Sequence, residues 1–273
     1  MSLSAPAIRA RKRRHGSAPL VMVTAYDEPS ARFVDAAGID IILVGDSVAN
    51  VVLGQSDTLR VSVDQMCSHV AAVMTVAPDA HVVADMPWLS YHVDRSDSVR
   101  NAGALIRAGA QSVKLEGGRV RLDVVRALLD AQIPVMGHLG LTPQSVLAMG
   151  GFKVQGKTAE AVDLLVEDAA ALEEAGIYAL VVEGVPPAVG TRLTESLEVP
   201  TIGIGAGPGT DGQVLVFHDL LGLTKRTPPR FVRQYADLGA VITDALSRFA
   251  QDVRNGSFPD ESEVYANPEE LRK

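Results

Sequence analysis

One short pattern recurs along the chain and limits its possible folds more than any other feature. A helical run ends in Ala-Gly and a β-branched run follows within a few residues, at Gly38, Gly109 and Gly176. Glycine just past a helix end adopts the left-handed conformation that closes the helix. Proline takes the corresponding place at Pro134 and Pro200, where it ends a helix and precedes a strand. The pattern predicts helices and strands in regular alternation.

The number of predicted strands separates two folds that share this alternation. Eight runs have the length of strands, and most are apolar enough to be covered on both faces, as in a parallel sheet. They are Leu20–Thr24, Ile41–Val44, His81–Ala84, Ser112–Leu115, Val135–His138, Ala179–Val182, Thr201–Ile204 and Gln213–Val216. Eight strands alternating with helices favour a (β/α)8 TIM barrel over a doubly wound sheet. The weak point is the glycine-rich seventh connection, about a dozen residues, which barely holds a crossover helix.

We expect a single barrel domain over 1–273, with a basic N-terminal arm over 1–17, the barrel over about 18–228 and a C-terminal helix and tail over 229–273. The long helix is indicated by an apolar stripe at helical spacing that stops at Asn255-Gly256. Its members are Phe231, Tyr235, Leu238, Val241, Ile242, Leu246, Phe249 and Val253. The basic residues of the arm (Arg9 and 11–14) are interpreted as solvated, because no aromatic residues interleave with them as in a nucleic-acid patch.

Composition and cysteine content exclude several classes of protein. With 47% hydrophobic and 21% charged residues, the chain is not disordered as a whole. The single cysteine, Cys67, excludes an internal disulfide and fits a reducing cytoplasm. No run of about 18 apolar residues occurs, so we expect no membrane-spanning helix. The segment 207–212 matches the dinucleotide fingerprint formally, but a strand-like run follows it instead of a helix, so we predict a tight loop there.

Acidic residues follow three successive predicted strands, at the barrel end where active sites lie. Asp46, Asp85 and Glu116 would repel one another by roughly 4 kcal/mol per pair at 4 Å and an effective dielectric near 20. Either protons are taken up or a cation lies among them, and oxygen ligands favour Mg²⁺. The alternative is that these acids cap the helices that follow. Lys114 lies two residues before Glu116, so both side chains face the barrel mouth.

Two further residues at the same end are candidates for the chemistry. His138 ends the fifth predicted strand; by itself it reads as a core histidine, and its place beside the acids favours a ligand contact. Glu183 follows the sixth strand and is a candidate general base, with a loop carboxylate paired to an arginine as the alternative.

Six blocks of sequence, in the same order, resemble those of a known family. They are Val44–Ser47, Ala84–Pro87, Val113–Gly118, Gly137–Ser145, Gly150–Gly156 and Ile202–Gly207 with Asp211–Gln213. The most specific is the fourth, Gly-His-Leu-Gly-Leu-Thr-Pro-Gln-Ser. Together, over about 24–253, they strongly resemble ketopantoate hydroxymethyltransferase.

This resemblance implies a Mg²⁺-dependent barrel that transfers a hydroxymethyl group from 5,10-methylenetetrahydrofolate to 3-methyl-2-oxobutanoate through a Mg-stabilised enolate. The product would be ketopantoate, in the pathway of pantothenate synthesis. By resemblance, Asp46, Asp85 and Glu116 belong to the metal site, and Asp46 and Asp85 also lie against the substrate. Ser47, Lys114 and His138 match contacts with the keto acid, and Glu183 matches the proton acceptor. The family also implies a homo-oligomer, a decamer, with small molecules rather than nucleic acid or membranes as partners.

Two alternatives stay open at this point. The first is another Mg-dependent keto-acid aldolase or lyase barrel, which would turn over without folate. The second is a barrel that has lost activity and serves as a binding or assembly module.

Overall fold

Eight parallel strands close into a barrel in chain order, as the sequence predicted. The computed structural model describes residues 3–76, 78–224 and 227–266. The strands are β1 (Leu20–Thr24), β2 (Ile41–Val44), β3 (His81–Asp85), β4 (Ser112–Glu116), β5 (Val135–Gly140), β6 (Ala179–Glu183), β7 (Thr201–Ile204) and β8 (Gly212–Leu215). The predicted strand ends differ from these by two residues or fewer.

Helices lie between the strands, and several of them are capped by side chains at the start and by glycine after the end. They are α1 (Ala5–Arg9), α2 (Glu28–Ala36), α3 (Val48–Val51), α4 (Val63–Met74), α5 (Arg95–Arg107), α6 (Leu122–Asp130), α7 (Val146–Met149), α8 (Ala159–Ala175), α9 (Pro187–Ser196), α10 (Phe217–Leu220) and α11 (Leu238–Asn255). The side chains of Ser62 and Thr158 accept hydrogen bonds from the first turns of α4 and α8. Gly38, Gly109 and Gly176 have φ of +70°, +120° and +108°, which fits their role in ending helices.

Apolar side chains form two cores, and their separation explains where the polar residues of β4 point. Val113 and Leu115 belong to the larger core between strands and helices. A second cluster, with Met22 and Ile41 among its members, includes Ile8 of α1. Lys114 and Glu116 alternate with the apolar pair and so face the inside of the barrel, as predicted.

The seventh connection contains no helix. Residues 205–211 join β7 to β8, and this short span suffices because each of these strands has only four residues. The loop packs tightly on the chain itself: a Cβ at Gly209 would lie 2.1 Å from Oγ1 of Thr191, and one at Gly207 would lie 2.6 Å from Cβ of Pro187. The glycines therefore permit close packing of the loop, and no helix opens after it as dinucleotide binding would require.

Lys12 is buried, which corrects the interpretation of the N-terminal arm as solvated for this residue, whereas Arg9, Arg13 and Arg14 are exposed as expected. Ile8 is fully buried, and the side chain of Lys12 is 1% exposed. Lys12 Nζ donates to the carbonyl oxygens of Thr194 (2.7 Å) and Val199 (3.0 Å) and pairs with Asp211 Oδ2 at 2.9 Å. The basic run therefore contains one lysine that is buried at the N-terminal end of the barrel, and composition alone does not reveal this.

The chain divides into two compact units. One contains the barrel, up to Phe217, together with Pro229–Val232; the other contains His218–Pro228 and the chain from Arg233 onward. In the second unit α11 begins at Leu238, where Asp237 caps it, so Phe231 and Tyr235 precede the helix, contrary to the predicted stripe. The helix ends at Gly256 as expected. Residues 1–2 of the predicted arm and 267–273 of the predicted tail lie outside the described residues.

None of the helices in the described part of the chain has the length and apolar character needed to cross a bilayer.

Candidate active site

The C-terminal end of the barrel collects the charged residues that the sequence singled out. Each comes from the end of a strand or the residues directly after it, on five successive strands. They are Asp46 and Ser47 after β2, Asp85 in β3, Lys114 and Glu116 in β4, His138 in β5 and Glu183 in β6. All are buried except Ser47 and Glu183, which are partly exposed. The predicted site residues therefore meet at one end of one barrel.

Asp85 contacts both Asp46, which follows β2, and Lys114 of β4. Its Oδ1 lies 2.8 Å from Lys114 Nζ, and its Oδ2 accepts a hydrogen bond of 3.0 Å from the backbone N–H of Asp46. Gly45 precedes Asp46, and a Cβ there would lie 3.4 Å from Asp85 Oδ2 and 2.9 Å from Ser47 Oγ. A residue without a side chain at position 45 lets β2 approach these groups closely.

His138 lies between a lysine and two carboxylates. Its Nδ1 is 3.2 Å from Lys114 Nζ and 3.5 Å from Glu116 Oε1, and its Nε2 is 3.2 Å from Glu183 Oε2. Nδ1 accepts from Lys114 only while it carries no proton, and donates to Glu116 only when it carries one. Burial and Lys114 both act to lower the pKa of His138, but its contacts with Glu116 and Glu183 prevail and raise it to about 9. His138 is therefore not a core histidine in apolar surroundings.

Glu183 lies at the edge of this cluster. Its side chain is 16% exposed and its carboxylate contacts His138, so the alternative of a loop carboxylate paired with an arginine does not hold among the described residues. A partly accessible carboxylate can reach a bound ligand, which the predicted role of general base requires.

The surroundings of Asp46 disfavour its charged form. Burial, followed by the nearby carboxylates of Asp85 and Glu116, raises its pKa well above the usual range of an aspartate. Burial acts to lower the pKa of Lys114, but three nearby carboxylates outweigh it and raise that pKa, with the largest contribution from Asp85. When all four carboxylates are ionised, they face two cations, Lys114 and protonated His138, so two negative charges lack a counter-ion in the described part of the protein; the raised pKa of Asp46 shows that the site then favours taking up a proton or a cation.

This charge and the donor chemistry fit a divalent ion such as Mg²⁺. Carboxylate oxygens are its preferred ligands, and protein sites commonly supply one or two of them and leave the rest to water and substrate. Within the described residues, no three His, Cys, Asp or Glu side chains form a group that could hold an ion by themselves. Asp46 and Asp85 therefore fit as a pair of ligands, completed by substrate oxygens or water.

Three residues of the site were missed by the sequence analysis. Tyr26 OH lies 2.8 Å from Ser47 Oγ, and burial raises the pKa of its phenol, so Tyr26 holds Ser47 as a neutral partner. Gln144 and Tyr91 contact Asp46 and Glu116. Gln144 belongs to the most specific sequence block, in which only His138 was assigned to the site. Tyr91 has no local signal in the sequence.

The alternative that Asp46 caps the following helix is also wrong. Ser47 occupies the N-cap position of α3, and no side chain caps that helix. Asp46 Oδ2 instead accepts a hydrogen bond of 2.8 Å from Gln144 Nε2.

Comparison with known proteins decides the family. The family described as Ketopantoate hydroxymethyltransferase matches residues 3–261. The chain belongs to this family. Among curated relatives, 3-methyl-2-oxobutanoate hydroxymethyltransferase 2 of Bradyrhizobium diazoefficiens is 56% identical over 253 residues, covering 93% of this chain and 86% of the relative. The enzyme named 3-methyl-2-oxobutanoate hydroxymethyltransferase in Koribacter versatilis is 52% identical over 263 residues, covering 96% and 88%.

Solved structures with the same fold are more distant in sequence. A 2,3-dimethylmalate lyase, described as a member of the PEP mutase/isocitrate lyase superfamily, superposes with a TM-score of 0.61 at 17% identity, covering 99% of this chain and 92% of the lyase. A phosphonopyruvate hydrolase in complex with oxalate and Mg²⁺ gives a TM-score of 0.60 at 14% identity, covering 95% and 93%. At these identities the likeness shows the barrel fold alone.

The family resemblance, the TIM barrel and the assignment as a hydroxymethyltransferase are thus confirmed. The roles of the individual site residues, Mg²⁺ and the folate donor remain predictions.

Proposed function

We propose that this ketopantoate hydroxymethyltransferase family member transfers a hydroxymethyl group from 5,10-methylenetetrahydrofolate to 3-methyl-2-oxobutanoate, giving ketopantoate for pantothenate synthesis. The observation that carries the proposal is the 56% identity, over 93% of the chain, with a relative named for this keto acid and this transfer. The convergence of every site residue implied by the family at one end of the barrel supports it.

Asp46 and Asp85 would hold Mg²⁺, with Glu116 next to them. When bound, the ion supplies Lewis-acid polarisation of the keto oxygen and fixes the orientation of the keto acid. Its charge would balance the two negative charges that Lys114 and His138 leave uncompensated.

Glu183 accepts the proton from C3 of the keto acid. Its carboxylate is the more exposed of the acids, and His138 orients it through the contact between Nε2 and Oε2. A positioned base typically accelerates such a step by about 10²- to 10⁴-fold. The carbon that loses its proton then attacks the methylene carbon of the folate. One water molecule is consumed overall: its oxygen becomes the new hydroxyl group, both carbon–nitrogen bonds to the methylene carbon break, and tetrahydrofolate leaves with a proton on each of the two nitrogens.

Lys114 and His138 provide the positive charge that favours an anionic substrate. The protein has a net charge of −8, which repels anions at long range, so attraction has to come from groups within the site. Both side chains are buried, where charge acts through a lower dielectric than at the surface. Ser47, held by Tyr26, offers a hydroxyl to the substrate from the rim.

A cytoplasmic location and a homo-oligomer, a decamer by family resemblance, are part of this proposal. The single cysteine agrees with a reducing compartment. An apolar face of α11, with Val241, Leu246 and Phe249 at 52–63% exposed, agrees with burial between subunits. Light scattering of the purified protein measures the subunit number.

One assay tests the proposed reaction. Purified protein is freed of metal by chelation and given the keto acid, with methylenetetrahydrofolate and Mg²⁺ added singly and together. We expect ketopantoate only when both are present. Cleavage of a keto acid without folate would favour the lyase alternative, and full activity after exhaustive chelation would remove Mg²⁺ from the mechanism. No turnover with all components present would favour a barrel that only binds.

A further inference from the structure

Both the nitrogen and the oxygen of the Gln144 side chain are hydrogen-bonded within or next to the acid cluster. The side chain is buried and comes from the turn between β5 and α7. Nε2 donates to Asp46 Oδ2 (2.8 Å) and to the carbonyl oxygen of Met86 (3.0 Å), while Oε1 accepts from Tyr91 OH (2.6 Å). Its backbone N–H donates to Glu116 Oε2 at 2.9 Å. One neutral residue thus donates to two carboxylates from different strands.

The hydrogen-bond partners allow only one orientation of the amide. The carboxylate of Asp46 and the carbonyl of Met86 both require a donor, so the nitrogen of the amide must face them. Its oxygen then faces Tyr91, whose hydroxyl must donate. The same hydroxyl accepts a hydrogen bond of 3.1 Å from the backbone N–H of Glu116. Tyr91 therefore fixes the direction of Gln144 and connects it a second time to β4.

This arrangement leaves one oxygen of Asp46 available. Oδ2 is held by Gln144, and Oδ1 has no hydrogen bond to any of the residues that the structure describes. Without Gln144, the carboxylate would be free to rotate away from the neighbouring negative charges of Asp85 and Glu116. A buried carboxylate with one fixed and one available oxygen is oriented for a single metal–oxygen bond.

We propose that Gln144, fixed in direction by Tyr91, is a positioning residue that holds Asp46 and Glu116 in the orientation required for binding a divalent cation. The inference rests on the metal site of the proposed function. It adds two residues that the sequence analysis did not assign to the site.

Titration with Mn²⁺, followed by electron paramagnetic resonance in the absence of both substrates, tests the proposal directly. We expect Gln144→Leu to raise the dissociation constant of Mn²⁺ by about 10- to 100-fold, the usual effect of losing a hydrogen-bond partner of a metal ligand. Tyr91→Phe removes one hydroxyl and should raise the dissociation constant of Mn²⁺ by about 2- to 10-fold. Gln155→Leu is the matched control: this glutamine lies on the segment between β5 and α8, its amide donates to the carbonyl of Lys153, and its loss should leave the constant unchanged.

A second measurement separates positioning from general damage. The activity of Gln144→Leu should recover in large part as the Mg²⁺ concentration is raised, because excess metal compensates for weak binding but not for a misfolded barrel. Unchanged Mn²⁺ affinity in folded Gln144→Leu would overturn the proposal. Should that variant not fold, unchanged affinity in Tyr91→Phe would overturn it as well.

The binding measurement also distinguishes this inference from the proposed reaction. A wild type that binds Mn²⁺ more tightly than the variants but makes no ketopantoate would contradict the reaction and support the positioning role. A wild type that makes ketopantoate with the same Mn²⁺ affinity as all variants would contradict the positioning role alone.

Discussion

The two ends of the barrel both contain buried polar clusters, but they differ in how completely the charges are satisfied. At the N-terminal end, Lys12 uses all three protons on two carbonyls and Asp211, and Asp211 Oδ1 accepts from the backbone of Arg13. At the C-terminal end, Asp46, Asp85, Glu116 and Glu183 outnumber the cations. A satisfied cluster stabilises the fold, whereas uncompensated charge in a rigid site is available for a ligand.

A second network of buried polar groups at the N-terminal end also has its hydrogen bonds formed. His81 Nδ1 lies 2.8 Å from the carbonyl oxygen of Leu3, which only accepts, so Nδ1 carries the proton. Nε2 therefore accepts from Ser112 Oγ at 2.8 Å, and Ser112 accepts from Tyr178 OH at 2.8 Å. This chain of hydrogen bonds joins the N-terminal segment to β3, to β4 and to the residue directly before β6. Substitutions at this end should affect stability, and those at the other end activity.

The largest expected effect is on catalysis. Glu183→Gln removes the proposed base and should slow exchange of the C3 proton of the keto acid into deuterated water by about 10²- to 10⁴-fold. The free energy of unfolding should change by less than about 1 kcal/mol, because the side chain is partly exposed. Nuclear magnetic resonance measures the exchange and urea unfolding the stability.

Glu174→Gln, an exposed glutamate of α8, is the matched control for this prediction and should leave both quantities unchanged. Undiminished exchange in Glu183→Gln would remove this residue from the role of base.

At Lys12 we expect a large loss of stability without a loss of activity, the reverse of what we expect for Glu183→Gln. Lys12→Met leaves Asp211 buried without its cation, and breaking a buried ion pair in this way destabilises a protein by about 3–5 kcal/mol. At temperatures where the variant is folded, the rate of ketopantoate formation should equal that of the wild type. Chemical denaturation measures the first effect and the assay of the proposed reaction the second.

Arg13→Met provides the comparison for Lys12→Met. Its guanidinium donates to the carbonyl oxygens of Pro208 and Thr210 nearer the surface, so its loss should cost about 1 kcal/mol. A loss of activity in folded Lys12→Met, or equal destabilisation by the two substitutions, would contradict the division between the two ends.

The sequence predicted the C-terminal end of the barrel better than the N-terminal end, for a physical reason. Parallel strands bring their ends to one edge, so Asp46, Asp85 and Glu116 were placed together from local pattern alone. Lys12 pairs with a residue 199 positions away, and nothing local in a basic run shows which of its members is buried. Gln144 contacts Asp46 across 98 positions, which is equally invisible to periodicity.

The start of α11 shows a different limit of sequence reasoning. The apolar stripe continues upstream of Leu238, but the first turn is set by the side chain of Asp237, which accepts from the backbone N–H of Ala240 at 3.2 Å. Periodicity measures which residues share a face and does not determine where hydrogen bonding begins.

A smaller effect than that of Lys12→Met is expected for the pH dependence of stability at the N-terminal end. Burial lowers the pKa of His81 to about 4, against 6.5 in the unfolded chain. Between these values the unfolded state binds more protons, so stability is complete above about pH 7 and falls as pH decreases. This one group should cost about 2 kcal/mol between pH 7 and pH 5. His81→Gln does not titrate, and groups elsewhere, including His92 with its similarly lowered pKa, are common to both proteins. The difference between the two urea-unfolding profiles therefore isolates His81, and parallel profiles would show that its network at this end is not held in the neutral form.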